Sequence, residues 1–168
     1  MRFMHVIVSG GNCDRHFIIN MDQTPVNFSM SSKQTLEVIG TKTIHIRTST
    51  NDMKREIVAV TITADSTLLP STFVFKGKPN GHNATKEFPS GVYSATHFYK
   101  CQENAWMDKE VMIAWVNEVL APYVAMALDH IVPVLILDMY QCHMMALVVQ
   151  MIQKLGMEPP SRRSLDLH

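Results

Sequence analysis

The sequence predicts a mixed α/β domain in which one mixed sheet is flanked by helices. Its first half contains several short runs rich in β-branched and aromatic residues, which are typical of strands. Its second half contains two stretches with apolar residues at helical spacing, and a short, wholly apolar run lies between them. A succession of strands followed by alternating helix and strand favours a sheet covered by helices.

The first half of the chain accounts for four predicted strands. The first strand is an apolar run over residues 17–22 that Asp22 closes. Three more strands, antiparallel to one another and to the first, are predicted over residues 42–47, 56–64 and 71–76. The turn-forming residues that follow predict a long connecting loop, with at most short local structure, over residues 76–104.

A helix is predicted at the start of the second half, over residues 108–121. Apolar side chains recur there every three or four positions and so form one stripe. Asp108 is suited to cap the first turn, and Pro122 is expected just past the last one.

A strand and a second helix complete the predicted sheet and its cover. The strand covers residues 134–138 and ends at Asp138, and the helix covers residues 143–155 and is closed by Gly156. This order of elements is found in the ribonuclease-H-like arrangement, among others. The fold class expected is therefore α/β, a ribonuclease-H-like mixed sheet flanked by helices, with its last elements missing.

Composition fits a single soluble globular domain of 168 residues, 46% of them apolar. Fifteen lysines and arginines balance fifteen aspartates and glutamates, so the formal net charge is zero. No overall basic field is present to hold nucleic-acid phosphates. Contact with DNA would have to come from a local patch or from a module outside this sequence.

The cysteines and the apolar segments indicate an intracellular protein. Cys13, Cys101 and Cys142 are odd in number and widely spaced, which favours a reducing compartment over a disulfide framework or a zinc site. The apolar stretch near the amino terminus is too short for the core of a signal peptide. The longest apolar region, residues 123–137, is interrupted by polar residues and by proline, so no membrane span is expected.

Two carboxylates at the ends of apolar runs are the first candidate site. Asp22 and Asp138 each follow a predicted buried strand, and sheets with parallel strands bind ligands at the carboxyl ends of those strands. Two neighbouring acids there would suit a hard divalent cation, as in a nuclease or transposase. The alternative is structural, since aspartate is common in helix caps and turns.

Five motifs, in order, resemble one family. Together they are similar to the DDE superfamily endonuclease domain of pogo and Tigger transposons, to which the centromere protein B lineage also belongs. The resemblance extends over about residues 17–158, so residues 1–158 are predicted to form the endonuclease core and residues 159–168 a divergent tail. The motifs are Asn20-Met21-Asp22-Gln23-Thr24-Pro25-Val26, Thr61-Ile62-Thr63-Ala64-Asp65, Val74-Phe75-Lys76-Gly77-Lys78, Ala105-Trp106-Met107-Asp108 and Leu137-Asp138-Met139-Tyr140-Gln141-Cys142-His143.

The resemblance implies a metal-dependent reaction on DNA in the nucleus. Asp22 and Asp138 would be the first two metal-binding acids, with magnesium or manganese as the ion. The third acid of the family follows a Pro-Gly-Gly-x-Thr type segment and sits in a Gln-Pro-Leu-Asp sequence. This chain has no such segment, and Asp166 is the one stand-in, at a shorter spacing from Asp138 than the family shows.

Two further departures from the family bear on the prediction. Ser66 stands where the family usually has glycine, and a positive φ there would strain the serine by about 1 kcal/mol. The helix-turn-helix modules that bind transposon ends are absent from this sequence. A homo-oligomer, or a partner chain that carries DNA-binding modules, is therefore an open possibility.

Several other residues have both a functional and a structural interpretation. His143 could orient a metal ligand or touch a phosphate, or it could simply begin the following helix. Lys76 and Lys78 could contact the DNA backbone, although solvated lysines are common where a strand enters a loop. Trp106 could stack on a base, whereas Trp115 lies on the apolar stripe of its helix and is expected in the core.

Three functions remain open at this point. The leading one is a DDE-type transposase catalytic domain, whose ancestral reaction is metal-dependent cleavage and strand transfer of DNA. The second is a non-catalytic, transposon-derived nuclear domain that binds DNA or protein. The third is a product that folds poorly because sheet-supporting elements are gone. The missing third acid distinguishes the first two.

Overall fold

The computed structural model describes residues 14–27 and 55–157, and these residues form a mixed sheet with helices packed on it. The strand order is β4-β3-β2-β1-β5. Neighbours β1–β2 and β2–β3 are antiparallel, whereas β1–β5 and β3–β4 are parallel. The predicted mixed α/β, ribonuclease-H-like class is confirmed. The strands are β1 Ile18–Asn27, β2 Arg55–Thr63, β3 Thr72–Lys76, β4 Phe98–Gln102 and β5 Val134–Ile136.

The strand predicted over residues 42–47 lies outside the described residues, but the strands over residues 56–64 and 71–76 are confirmed as β2 and β3. The predicted antiparallel order from the first strand through β2 to β3 is also correct.

The loop predicted over residues 76–104 is wrong in its last part, because β4 pairs there with β3 in parallel. The sequence of β4 has two adjacent aromatic residues, Phe98 and Tyr99, followed by Lys100, Cys101 and Gln102, so it lacks the apolar run of a buried strand. Tertiary contacts fix it instead. Phe98 packs against the core, and Lys100 Nζ lies 2.6 Å from Glu118 Oε1 on the facing helix.

The first helical segment begins where predicted but continues further. Helix α1, Lys109–Trp115, is capped by Asp108, whose Oδ1 accepts a hydrogen bond of 3.0 Å from the Val111 N–H. A π-helical turn, Val116–Leu120, then leads into α2, Ala121–Val124. Pro122 is expected past the helix end, and this is wrong, since the helical segment continues through it from the π-helical turn into α2.

The second predicted helix is shorter than expected at its beginning. A 3₁₀ turn, Gln141–Met144, comes first, and α3 then covers Ala146–Lys154. Gly156 has a φ of 78° and ends the helix in the left-handed conformation, as predicted.

The core lies between the sheet and these helices. Ile19 and Met21 of β1 are almost completely buried, and they share the core with Trp115 of α1 and Ile152 of α3. The indole N–H of Trp115 donates a 3.0 Å hydrogen bond to the Thr61 hydroxyl, so the buried donor is satisfied. The core position predicted for Trp115 is confirmed.

The turn after β2 meets the condition under which the sequence analysis expected strain at Ser66, namely a positive φ. Ser66 has a φ of 73°, and its amide donates a 2.9 Å hydrogen bond to the Thr63 carbonyl. The hydroxyls of Thr63 and Thr67 donate to the Asp65 carboxylate and hold its pKa well below its usual range. His16 Nδ1 lies 2.6 Å from the same carboxylate, which ties the turn to the segment before β1.

Replacing Ser66 with glycine should stabilise the fold, because glycine adopts a positive φ without steric cost. We expect Ser66→Gly to raise the free energy of unfolding by up to about 1 kcal/mol in urea denaturation. Ser90→Gly, at a position without a positive φ and with a side-chain hydrogen bond to the Glu87 carbonyl, is the control and should be destabilising. A Ser66→Gly protein no more stable than the parent would contradict this account of the turn.

Removing the acceptor for Trp115 should destabilise the core. Thr61→Val keeps the shape of the side chain but leaves the buried indole N–H without a partner, at a cost of about 1–3 kcal/mol. Thr24→Val, on an exposed position of β1, should change the unfolding free energy by less than about 0.5 kcal/mol. Equal urea midpoints for the two variants would show that the hydrogen bond is not important.

Candidate functional site

The candidate site begins with the register of two adjacent parallel strands. β1 and β5 pair Ile18 with Val134 and Asn20 with Ile136. Continuing this register by two residues brings Asp22 level with Asp138. Because neighbouring strands lie about 4.8 Å apart, the two acids are carried by adjacent stretches of backbone. The structure thus places one acid on β1 and the other just beyond β5, with the paired register ending two residues before each of them.

Asp22 lies within a strand and not at its end. The predicted end at Asp22 is wrong, because β1 continues to Asn27 while β2 supplies backbone partners, with Asp22 opposite Val60. Successive side chains of a strand point to opposite faces. Since Met21 is buried in the core, Asp22 lies on the other face, where it is exposed. Asp22 Oδ1 accepts a 2.8 Å hydrogen bond from the Gln23 amide.

Asp138 follows the last residue of β5 by two positions and is half-buried. The strand is therefore shorter than the predicted residues 134–138, but the acid still lies just beyond its carboxyl end. Asp138 Oδ1 lies 2.9 Å from His143 Nδ1 and accepts a 3.2 Å hydrogen bond from the Tyr140 amide. The carboxylate is therefore held by the turn that follows it.

His143 lies in the 3₁₀ turn before α3 and is only 2% exposed. Its Nδ1 is also 3.0 Å from the backbone oxygen of Asp138. Its Nε2 is 2.9 Å from the side-chain nitrogen of Gln23 on β1. Both ring nitrogens therefore have partners, one on β1 and the other at Asp138, just beyond β5. Of its predicted interpretations, the contact with an acid is present, whereas its role in function stays a prediction.

Gln23 is a residue of this site that the sequence analysis did not single out. The only signal was its place directly after Asp22 in the first of the five motifs. Its contact with His143 joins residues 120 positions apart in the chain, and such a contact cannot be inferred from local patterns.

The third predicted acid, Asp166, lies outside the described residues. Within residues 14–27 and 55–157, no three histidine, cysteine, aspartate or glutamate side chains form a group that could hold a metal ion. The site therefore consists of two acids with their supporting residues over that part of the chain.

The candidate DNA contacts have mixed surroundings. Lys76 and Lys78 are exposed at the end of β3. Trp106 is 42% exposed, and the guanidinium of Arg55 lies 4.6 Å from the centre of its ring. Stacking of Trp106 on a base therefore stays a prediction. Its ring already makes a cation–π contact with Arg55.

Comparison with known protein families decides the family. Residues 54–157 match the family model described as DDE superfamily endonuclease. The chain belongs to this family. The match includes Asp138 and His143, whereas Asp22 precedes its first residue. The resemblance predicted from the sequence is confirmed.

One relative of this DDE family chain is a mouse (Mus musculus) protein described as "Pogo transposable element with KRAB domain". The two are 28% identical over 126 residues, which make up 74% of this chain but 19% of the mouse protein. The chain thus spans about a fifth of the length of that relative. No solved structure matches the chain. None of the helices described here is long and apolar enough to span a bilayer.

Asp22 and Asp138, as the two proposed ligands of one cation, should repel each other when no cation is bound, because like charges side by side are unfavourable. We expect Asp22→Asn to raise the unfolding free energy by about 0.2–1 kcal/mol in EDTA. Adding Mn²⁺ should make the parent protein more stable than Asp22→Asn, because an ion that binds the folded state stabilises it. Asp129→Asn, at an exposed position, should show no such reversal. Thermal melts with and without Mn²⁺ make the measurement.

Proposed function

We propose that this chain is a transposon-derived, DDE-type endonuclease domain that acts on DNA. Its proposed reaction is metal-dependent cleavage and strand transfer. One observation carries the proposal, namely that β1 and β5 pair in parallel in a register that, continued two residues beyond the last paired position, would bring Asp22 level with Asp138. Membership of the DDE superfamily endonuclease family supports it, as does the likeness to a mouse protein described as a pogo transposable element. We propose residues 1–158 as the domain and residues 159–168 as a tail.

The proposed cofactor is magnesium or manganese, and the donor set fits such an ion. Both acids offer carboxylate oxygens, which are the ligands that hard divalent cations prefer. Magnesium keeps several waters and also takes substrate phosphates as ligands, so a small number of protein acids is suitable. A bound divalent ion supplies positive charge that stabilises the transition state at phosphorus. Asp22 and Asp138 would hold the ion, with Asp166 as a candidate third ligand.

DNA is the proposed partner, and the balanced charge of the chain limits how it would bind. A formal net charge of zero gives no general attraction for phosphates, so local cations such as Lys76 and Lys78 would have to supply it. We propose that tight binding needs a second copy of this chain or a partner chain with DNA-binding modules. The nucleus is the proposed location, by analogy with the pogo-related protein.

A second candidate is a non-catalytic nuclear domain that retains the fold and binds DNA or protein. The observation that favours it is that the acid pair is not joined by a third acid within residues 14–27 and 55–157. The rate of catalysis depends strongly on the placement of the catalytic groups, so a site with two acids could bind a metal ion and yet not catalyse the reaction.

The nicking of supercoiled plasmid DNA in Mg²⁺ or Mn²⁺ tests the proposed function. We expect the parent protein to nick, and Asp22→Asn and Asp138→Asn to lose about 100-fold or more in rate, because several kcal/mol of charge stabilisation would be lost. Asp129→Asn is the matched control and should retain the parental rate.

Folding of each variant is checked by its melting temperature before nicking is compared. A folded parent protein that does not nick would contradict the enzymatic function and favour the binding domain. Nicking that persists in both acid variants would place the reaction elsewhere.

A further inference from the structure

We propose that the side chains of Gln23 and His143 form a clasp that holds the Asp138 carboxylate in a fixed position beside β1. This inference rests on the proposed metal-binding function of the two acids. It assigns to Gln23 and His143 a positioning role, in which neither side chain ligates the metal ion or contacts the substrate.

The clasp is part of a path from one acid to the other that runs through hydrogen bonds and through the covalent structure of Gln23, whose side chain points to the face of β1 opposite Asp22. The path starts at Asp22, whose Oδ1 accepts from the Gln23 backbone amide at 2.8 Å. It continues from the Gln23 side-chain nitrogen to His143 Nε2 at 2.9 Å. It ends at Asp138, where His143 Nδ1 lies 2.9 Å from Oδ1 and 3.0 Å from the backbone oxygen. The path therefore connects β1 to the residue just beyond β5.

Proton placement on His143 follows from its neighbours. Asp138 presents only oxygen acceptors to Nδ1, so this nitrogen must carry a proton. The Gln23 side-chain nitrogen is a donor, so Nε2 must accept. A neutral imidazole with its proton on Nδ1 satisfies both requirements. The opposite neutral tautomer would place a lone pair against the Asp138 carboxylate and two donors against each other.

Burial makes this arrangement rigid. His143 is only 2% exposed, and its neighbour Cys142 is 3% exposed within the core. A buried ring that lost either partner would leave a polar nitrogen without a hydrogen bond, which is costly. The ring therefore cannot turn away from Asp138 without penalty. Asp138 itself is half-buried and lies beyond the last paired residue of β5, so the strand ladder does not fix its carboxylate.

The expected consequence is a metal affinity that depends on residues that do not ligate the metal. Hydrogen-bonded partners of metal ligands orient those ligands, and their loss lowers metal affinity by about 10- to 100-fold. Gln23 is the better residue to change, because it contacts His143 and leaves the Asp138 contact in place. A role in folding alone would lower stability without changing the affinity of the folded protein.

The test compares Gln23→Met with the parent protein and with Gln153→Met, a change of the same kind on the exposed surface of α3. Mn²⁺ binding is measured by isothermal titration calorimetry below the melting temperature of every variant. We expect Gln23→Met to bind Mn²⁺ about 10- to 100-fold more weakly than the parent, and Gln153→Met to match the parent. Nitrogen-15 chemical shifts of the imidazole report the tautomer of His143 separately from metal binding.

The parent protein should show the proton of His143 on Nδ1, and Gln23→Met should shift the tautomer equilibrium. A parent protein with the proton on Nε2, or equal Mn²⁺ affinity in Gln23→Met and parent, would overturn the clasp. A parent that binds no Mn²⁺ would overturn the proposed function and the positioning role with it. If Gln23→Met does not fold, Gln23→Asn is measured instead, since its shorter side chain cannot make the same contact with His143. The same Mn²⁺ affinities and imidazole shifts then test the clasp.

Discussion

The parallel pairing of β5 with β1 is the constraint on which the site depends. It extends over three residue pairs, from Ile18 with Val134 to Asn20 with Ile136. A shift of one residue would turn every side chain of β5 to the other face, taking Asp138 away from the level of Asp22. Leu135 and Leu137 are buried in the core, and Ile136 between them is buried as well, so both faces of β5 are covered. The pairing of β5 with β1 thus determines where the chain leaves the sheet to reach Asp138.

Parallel neighbours cannot be joined by a short turn, so the chain must leave the sheet and return. After β2 to β4, which are strands of the same sheet, it does so through the helical segment from Lys109 to Val124, which covers the core face and leads towards β5. Trp115 fixes this segment to β2 through its hydrogen bond to Thr61. The covered face is apolar and well packed, whereas Asp22 is exposed on the opposite face. Asp22 is therefore exposed to solvent, while the opposite face of β1 packs against the core.

The sequence predicted those features that depend on local pattern or on the motifs. Alternation and β-branched residues predicted β2 and β3, and Asp108 predicted the start of α1. The family's usual glycine marked Ser66 as a position at which a positive φ would be strained, and the structure has that positive φ. The features that were missed depend on tertiary contacts. β4 has a mixed composition and forms because β3 and the Lys100–Glu118 ion pair hold it. The continuation through Pro122 depends on a π-helical turn, and the contact between Gln23 and His143 depends on the folded chain.

The most direct test of the central claim, that Asp22 and Asp138 share a divalent ion, is anomalous diffraction from crystals of this chain grown with Mn²⁺. The account predicts one strong manganese peak within bonding distance of a carboxylate oxygen from each acid, and its loss from crystals of Asp22→Asn. The map would also show whether Asp166 reaches the ion. A well-ordered site without a peak, or a peak bound by neither acid, would contradict the account.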